Sequence, residues 1–296
     1  MTQSVSLLIL LGFIWGSGYT IARYAMTHGV HPLGYSFWQA LGPAILLLLM
    51  TLPYWYRRRK FLLRPWRYYI VTGVLGIAIP NTNMYFCAPH LPAGIVAIMV
   101  NTVPLIIYPL ALLVRQERFN YWRMIGVILG VIGIMMVVIP TADLKNNLTT
   151  HWLLITLITP LSFACCIVYI NKYRPSGIND LFLSAGMLTV ASLILIPLVF
   201  ISGEFYPLSL PLTKVDGIVI LEIVLSSIGY VLLFRLIKIA GPVFYSLANG
   251  VVCLTGLFWG RLIFSEKMNA MIIIAVIFIL IAIILVTTQK QAYTNE

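Results

Sequence analysis

The chain has 296 residues, of which 61% are hydrophobic and 9% charged, with a mean hydropathy of +0.99 and a formal charge of +11. A soluble domain is roughly 45–50% apolar and about 25% charged, so this much apolar surface needs lipid as its solvent, and a soluble globular fold is excluded. The basic residues stand in short clusters between apolar runs, as in the cytoplasmic loops of membrane proteins, and this pattern excludes nucleic acid as the partner behind the positive charge.

In chain order, ten apolar stretches come close to the roughly 20 residues that a helix needs to cross hydrocarbon. They cover residues 5–22, 33–52, 69–87, 94–113, 124–139, 152–170, 182–201, 217–234, 242–264 and 271–286. The first has no basic segment before it and no small-residue cleavage site behind it, so it reads as a retained helix rather than a signal peptide. Cys87, Cys165, Cys166 and Cys253 lie in or at the end of spans, without metal-type spacing or a disulfide framework. No metal or other cofactor is expected. Residues 289–296 form a short polar tail.

Of the 19 Lys and Arg residues, fourteen fall in loops on the side of both termini, including Arg57, Arg58, Arg59, Lys60, Arg115, Arg118 and Arg123. Arg23, Lys145, Lys214, Arg261 and Lys267 fall on the other side. Positive charge gathers on the cytoplasmic face, so both termini are expected inside, in the cell (inner) membrane.

The chain also repeats itself. NTVPLIIYPLALLVRQERFNYWRMIGVILG begins at Asn101, and NGVVCLTGLFWGRLIFSEKMNAMIIIAVIF begins at Asn249. Each is an apolar helix that ends in E-x-x-N (Glu117 to Asn120, Glu266 to Asn269) and runs into another apolar helix. The period is half the chain. Five spans per half is an odd number, so the second half enters the membrane from the opposite face. The expected fold is an all-α membrane protein, with ten transmembrane helices in two inverted five-helix repeats. Residues 1–145 form the first repeat, 146–288 the second, and 289–296 a cytoplasmic tail. Inverted repeats mark transporters that bind near the bilayer midplane and alternate between inward-open and outward-open states.

Among the eight acidic residues, Glu222 alone is flanked on both sides by uninterrupted apolar sequence, GIVILEIVLSSIGYVLLF. A carboxylate at mid-span costs about 2.5–3.5 kcal/mol on insertion scales, so it should face the bundle interior or a wet cavity. Its ionised form needs a proton, a substrate amine or cavity water as compensation. The other interior polar groups are Trp15, Ser17, Trp38, Gln39, Asn81, Asn83, Tyr85, Asn101, Ser226, Tyr230, Tyr245 and Asn249. Pro80 and Asn81 interrupt an apolar run, as in a helix that lines a cavity. Tyr245 and Asn249 are spaced i, i+4 and would share a helix face. The expected substrate site combines Trp15, Gln39, Asn81, Tyr85, Asn101, Glu222, Tyr230, Tyr245 and Asn249. Aromatic rings beside amides suit an amphipathic organic solute. Pro104, which removes a backbone hydrogen bond, and Gly250, which thins its helix, are the expected conformational hinges.

These features resemble the drug/metabolite transporter superfamily, EamA type, over nearly the whole chain. The resemblance rests on FIWGSGYTIAR from Phe13, FCAPHLPAGIVAIMVNTVP from Phe86, the pair Pro104 and Glu117, and the ladder Gly126, Gly130 and Gly133. It implies ten helices in two repeated units, with helices 1, 3, 4, 6, 8 and 9 around the cavity and helices 5 and 10 peripheral. The chain departs from the family pattern at Gln39, where an arginine is common, at Cys253, in place of a proline, and at Ser265, in place of a glycine.

The function expected from this reading is secondary active transport, as an exporter of small polar or amphipathic metabolites such as amino acids or amines, by alternating access. Its partners would be a small-molecule substrate, the lipid bilayer and protons as coupling ion, in a monomer or homodimer. The alternative is an intramembrane enzyme acting on lipid or lipid-linked substrates. That alternative requires clustered His, Asp, Glu or Cys within the spans, and no catalytic residue is assigned. No nucleotide-binding loop is present in the sequence, which argues against ATP as energy source.

Overall fold

The computed structural model describes residues 2–63, 65–116, 118–141, 147–208, 210–246, 248–266 and 270–288. Within these, side chains are described except at 2, 53–63, 137–141, 147–149, 171, 180, 234, 237–238, 240–246 and 287–288. Every regular element among the described residues is helical. We label the elements α1 (Thr2–Thr27), α2 (Pro32–Leu63), α3 (Trp66–Cys87), α4 (Ala93–Leu113), α5 (Tyr121–Thr141), α6 (Asn147–Thr156 with Ile158–Tyr173), α7 (Asp180–Ser202), α8 (Lys214–Ser246), α9 (Ala248–Phe264) and α10 (Ala270–Thr288). Seven contain stretches long and apolar enough to cross a membrane, and the apolar parts of α5, α9 and α10 are shorter. The protein is an all-α membrane protein of ten transmembrane helices, in two inverted five-helix repeats. Ile277, Ile281 and Ile284 on α10 and Leu254, Phe258 and Leu262 on α9 are exposed. An exterior of this kind is stable in lipid because it displaces no water.

Packing follows the small residues. α5 lies against α10, where a Cβ added at Gly126 or Gly133 would stand 3.1 Å from the carbonyl oxygen of Ala282 or Ala275. α1 fits between α8 and α9. A Cβ at Gly16 would stand 2.9 Å from the Gly256 nitrogen, and the Thr255 hydroxyl donates to the Gly12 carbonyl at 2.6 Å. Without a hydrophobic drive between helices in lipid, such close backbone approach is what holds neighbours together. The first arm of α4, Ala93–Val100, is buried along its whole length and forms the centre of the main apolar cluster.

Two helices are irregular where proline removes a donor. In α3 the residues Val74–Ala78 form a π turn ahead of Pro80. An i→i−5 bond from residue 80 would end on the Leu75 carbonyl; that carbonyl instead accepts from Ser162 Oγ of α6 at 2.8 Å. α4 breaks at Asn101 and Thr102, and resumes as Val103–Leu113. Pro104 has no N–H to offer the Val100 carbonyl, so the expected kink is a break three residues before the proline.

One boundary differs from expectation. The ninth span was placed to begin at Pro242, but α8 continues to Ser246 and α9 begins at Ala248. Apolarity alone could not reveal this, because Arg235 and Lys238 make the segment resemble a loop while its backbone stays helical. Tyr245 therefore belongs to the end of α8 and Asn249 to the start of α9, so one shared helix face is not established for the pair. Glu117, Asn269, Lys145, the side chain of Tyr245 and the tail 289–296 lie outside the described residues.

Candidate functional site

α8 carries Glu222 into the bundle, where it is 7% exposed. The side facing it from α1 is Gly18, where an added Cβ would stand 2.9 Å from Glu222 Oε1. The glycine thus leaves the carboxylate room to sit against the α1 backbone. From α2 come Gln39 and Tyr35, from α3 Tyr85, and from α8 itself Ser226 and Tyr230. Ser226 Oγ lies 3.2 Å from Glu222 Oε1 and 3.1 Å from Gln39 Oε1. Tyr35, Tyr85 and Tyr230 are within electrostatic reach of the carboxylate. The rings of Tyr35 and Tyr85 meet edge to face at 4.7 Å, and Trp15 meets Tyr230 the same way at 6.3 Å.

Glu222 Oε2, Gln39 Nε2 and Tyr35 Oη are buried and make no hydrogen bond to a described residue. Buried polar groups are nearly always paired; here one oxygen of the carboxylate itself and one atom on each of two neighbours lack a protein partner among the described residues. The Glu222 cluster joins five of the nine expected site residues: Trp15, Gln39, Tyr85, Glu222 and Tyr230. Asn101 sits one step away, at the break of α4. Its Nδ2 donates to Tyr19 Oη at 3.0 Å and to the Ala97 carbonyl at 2.8 Å, and Tyr19 is in electrostatic contact with Tyr85. Asn81 and Asn249 are half-buried, on α3 and at the start of α9, and among the described residues Asn81 makes no hydrogen bond to Glu222. Asn83 has a structural task, donating to the Ile155 carbonyl and to Thr159 Oγ1 at 2.9 Å each, which ties α3 to α6. Of the two expected hinges, Pro104 adjoins the helix break, while Gly250 is buried against Leu280 of α10. Helix 2, which was left out of the expected cavity lining, contributes two residues to the cluster.

Sequence reasoning missed Tyr35 and Gly18. Tyr35 lies in GYSFWQ at the start of α2, one helical turn before Gln39, and that i, i+4 spacing was the available signal. Gly18 stands inside WGSGY, where Gly16 serves the α9 contact and Gly18 the carboxylate.

A second carboxylate is arranged differently. Glu266 follows Ser265, which has φ +52, a left-handed conformation that turns the chain sharply at the end of α9. The Glu266 carboxylate accepts from the backbone N–H of Ala93 at 2.6 Å and of Gly94 at 3.1 Å, at the start of α4, and pairs with Arg23 of α1. A helix N-terminus presents free N–H groups and a partial positive charge, so it favours an anion. The guanidinium also lies over the Phe264 ring at 4.6 Å. The two copies of the E-x-x-N motif each show one role among the described residues: in the second, Glu266 seals a helix N-terminus, and in the first, Asn120 caps the following helix, its Oδ1 accepting from the Arg123 N–H at 3.2 Å.

Comparison with known proteins shows the family and the fold. The model of the EamA-like transporter family matches residues 2–139 and again 150–288. Protein PecM of Dickeya dadantii is 27% identical over 223 residues, 75% of this chain and 73% of its own length. The uncharacterized transporter YvbV of Bacillus subtilis is 23% identical over 297 residues, covering 98% of this chain and 93% of its own. A protein of known crystal structure superposes with a TM-score of 0.62 at 14% identity, over 97% of each chain, a likeness of fold.

Proposed function

The chain belongs to the EamA-like transporter family, and from that premise we infer that it is a secondary active transporter that exports small polar or amphipathic metabolites, amino acids and amines among them, with Glu222 as the coupling group. One observation carries the reading: a carboxylate buried among helices α1, α2, α3 and α8, with a shared serine hydroxyl on one oxygen and no hydrogen bond on the other. Such a group is costly when ionised and unaccompanied. Alternating access supplies the switch, because Glu222 takes up a proton when open to one face and releases it when open to the other. Trp15, Gln39, Tyr85 and Tyr230 supply rings and an amide beside it, which suits a solute with apolar and polar parts. Asn81, Asn101, Tyr245 and Asn249 are assigned to the same path, with Pro104 and Gly250 as its hinges.

The moving units in this reading are the repeats 1–145 and 146–288. The charge bias puts both termini in the cytoplasm, and the Arg23 and Glu266 end of the bundle on the outer face. Introduced cysteines near residues 60 and 290 should react only from inside, and labelling of either from outside overturns this orientation.

The deciding experiment is substrate-dependent flux in reconstituted vesicles across amino acids, polyamines and nucleosides, with and without a pH gradient. Flux that responds to the gradient in the wild type, and loses that response in Glu222→Gln while exchange persists, is the expected result. An unchanged pH response together with an unchanged affinity makes Glu222 structural. Weakened binding of cationic substrates alone makes it an amine site instead.

A further inference from the structure

The neighbours Ser226 and Ser227 use their hydroxyls differently. Ser227 donates back to the Ile223 carbonyl at 2.6 Å, the common habit of a helical serine. Ser226 instead points sideways and lies between two side-chain oxygens, Glu222 Oε1 at 3.2 Å and Gln39 Oε1 at 3.1 Å. A hydroxyl has one proton and so donates to one of them at a time.

Two arrangements satisfy all three groups. With Glu222 protonated, its O–H donates to Ser226 Oγ, and Ser226 donates to Gln39 Oε1. Gln39 Nε2 then faces away with its two N–H donors free, and in the structure Nε2 is buried without a partner. With Glu222 ionised, Ser226 donates to the carboxylate. Ser226 then has no proton for Gln39 Oε1 and faces it with lone pairs alone, a repulsion that is relieved when the Gln39 amide turns over and donates an N–H. Nε2 then points at Ser226 and Oε1 faces away. Half a turn exchanges groups of nearly equal shape about a torsion with two broad wells.

We propose that Ser226 and Gln39 convert the protonation state of Glu222 into the hydrogen-bonding sense of the pocket: an amide N–H is offered to the substrate when Glu222 is protonated, and an amide carbonyl when it is ionised. Gln39 is thereby the specificity-determining group. It selects for a substrate hydrogen-bond acceptor, such as a carboxylate or carbonyl, in one state and repels that same acceptor in the other. One proton binds to and leaves the carboxylate, and no covalent bond of the substrate changes. The proposal rests on the reading of Glu222 as the coupling group.

The surroundings suit such a relay. Facing Glu222 are Gly18 of α1, Tyr35 and Gln39 of α2, Tyr85 of α3, and Ser226 and Tyr230 of α8. Of the other helices packed on α8, α10 has no ionisable side chain and α7 only Asp180, at its first position. α9 has Cys253, buried, and Arg261, exposed near its far end. On α1, Arg23 is engaged by Glu266. Among the described residues no cation stands beside Glu222 to fix its charge.

The test uses protons as the only ligand. The full chain, labelled with isotopic glutamine and reconstituted in phosphatidylethanolamine and phosphatidylglycerol vesicles, is titrated with pH under infrared difference spectroscopy. The expected result is a carboxylic-acid band that grows as pH falls and is missing in Glu222→Gln, together with a shift of a glutamine side-chain amide band missing in Gln39→Ala. Ser226→Ala should keep the carboxylic-acid band and lose the amide shift, and Ser226→Thr should restore it. A Glu222 band without any amide response in the wild type, or an amide response that persists in Ser226→Ala, overturns the relay while leaving proton coupling in place. Absence of a titrating Glu222 band overturns both. The wild-type measurement alone decides the matter if Ser226→Ala does not fold.

Discussion

Glu266 accepts hydrogen bonds on both carboxylate oxygens, from Arg23 and from the N–H groups of Ala93 and Gly94, whereas Glu222 has a shared serine hydroxyl on one oxygen and, among the described residues, no bond on the other. Both carboxylates are largely removed from solvent, and both reach across to α1. The first completes a helix N-terminus and an ion pair, so its charge is compensated inside the protein and nothing further is required. The second has no hydrogen bond on Oε2 among the described residues, and in the proposed reading its charge state depends on what enters from outside. In the proposed reading, a carboxylate that is fully met by the fold belongs to the architecture, and one left open beside the unbonded Gln39 Nε2 and Tyr35 Oη belongs to transport.

This contrast can be broken by exchanging the symptoms. The largest effect is expected for Glu222→Gln, which should eliminate the response of flux to a pH gradient while leaving resistance to unfolding in mixed micelles unchanged or raised. Unfolding that follows loss of the Glu222 charge would falsify its separation from the architecture. Glu266→Ala should do the reverse. It strands Arg23 and two backbone donors, at a cost of about 2–3 kcal/mol, below the 3–5 of a fully buried pair because Arg23 is partly exposed. The remaining folded protein should keep its pH response, and a pH response lost together with stability merges the two sites.

Gly18→Ala sharpens the comparison from the side of α1. Its methyl would stand 2.9 Å from Glu222 Oε1, and such crowding costs about 1–3 kcal/mol. We expect lower resistance to unfolding, with a partial recovery of stability when Glu222→Ala is combined with it; additive losses of stability in the double variant would mean that the methyl acts elsewhere. Asn101→Ala removes the bond to Tyr19 and should lower stability by about 1 kcal/mol, with weakened transport at normal expression. Asn81→Ala provides the comparison, because among the described residues Asn81 makes no hydrogen bond to the cluster, and wild-type flux in both variants removes the α3 and α4 amides from the site. The smallest effect is Ser265→Gly. At φ +52 a non-glycine residue pays roughly 1–2 kcal/mol and glycine gives back part of that in chain entropy, so a net gain below about 1 kcal/mol is expected in the same unfolding assay.

Much of this was legible because lipid imposes simple demands. Ten spans, the half-length period and the isolation of Glu222 all follow from where polar residues are absent. What escaped has physical reasons as well. Arg23 reads as a loop charge because its partner lies at the far end of the chain, 243 positions away. Tyr35 is one tyrosine among 16, and only its i, i+4 spacing from Gln39 marks the face that α2 turns toward α8. The run from Arg235 to Ser246 has the charge and the Gly-Pro pair of a loop, yet its backbone stays helical through Gly241 and Pro242. Gln39 was noticed through its difference from the family pattern, and only the position of Ser226 gives that difference a chemical meaning.

The π turn at Val74–Ala78 has a consequence in angle rather than energy. An α-helix advances roughly 100° per residue, and this turn holds one residue more than the helix needs. Asn81, Asn83 and Tyr85 all lie downstream of it, so that one surplus residue sets the direction in which each of them points. Deleting a residue between Val74 and Ala78 would leave the span nearly as long and as apolar as before, and swing the edge of Tyr85 away from Tyr35 like a key turned in its lock.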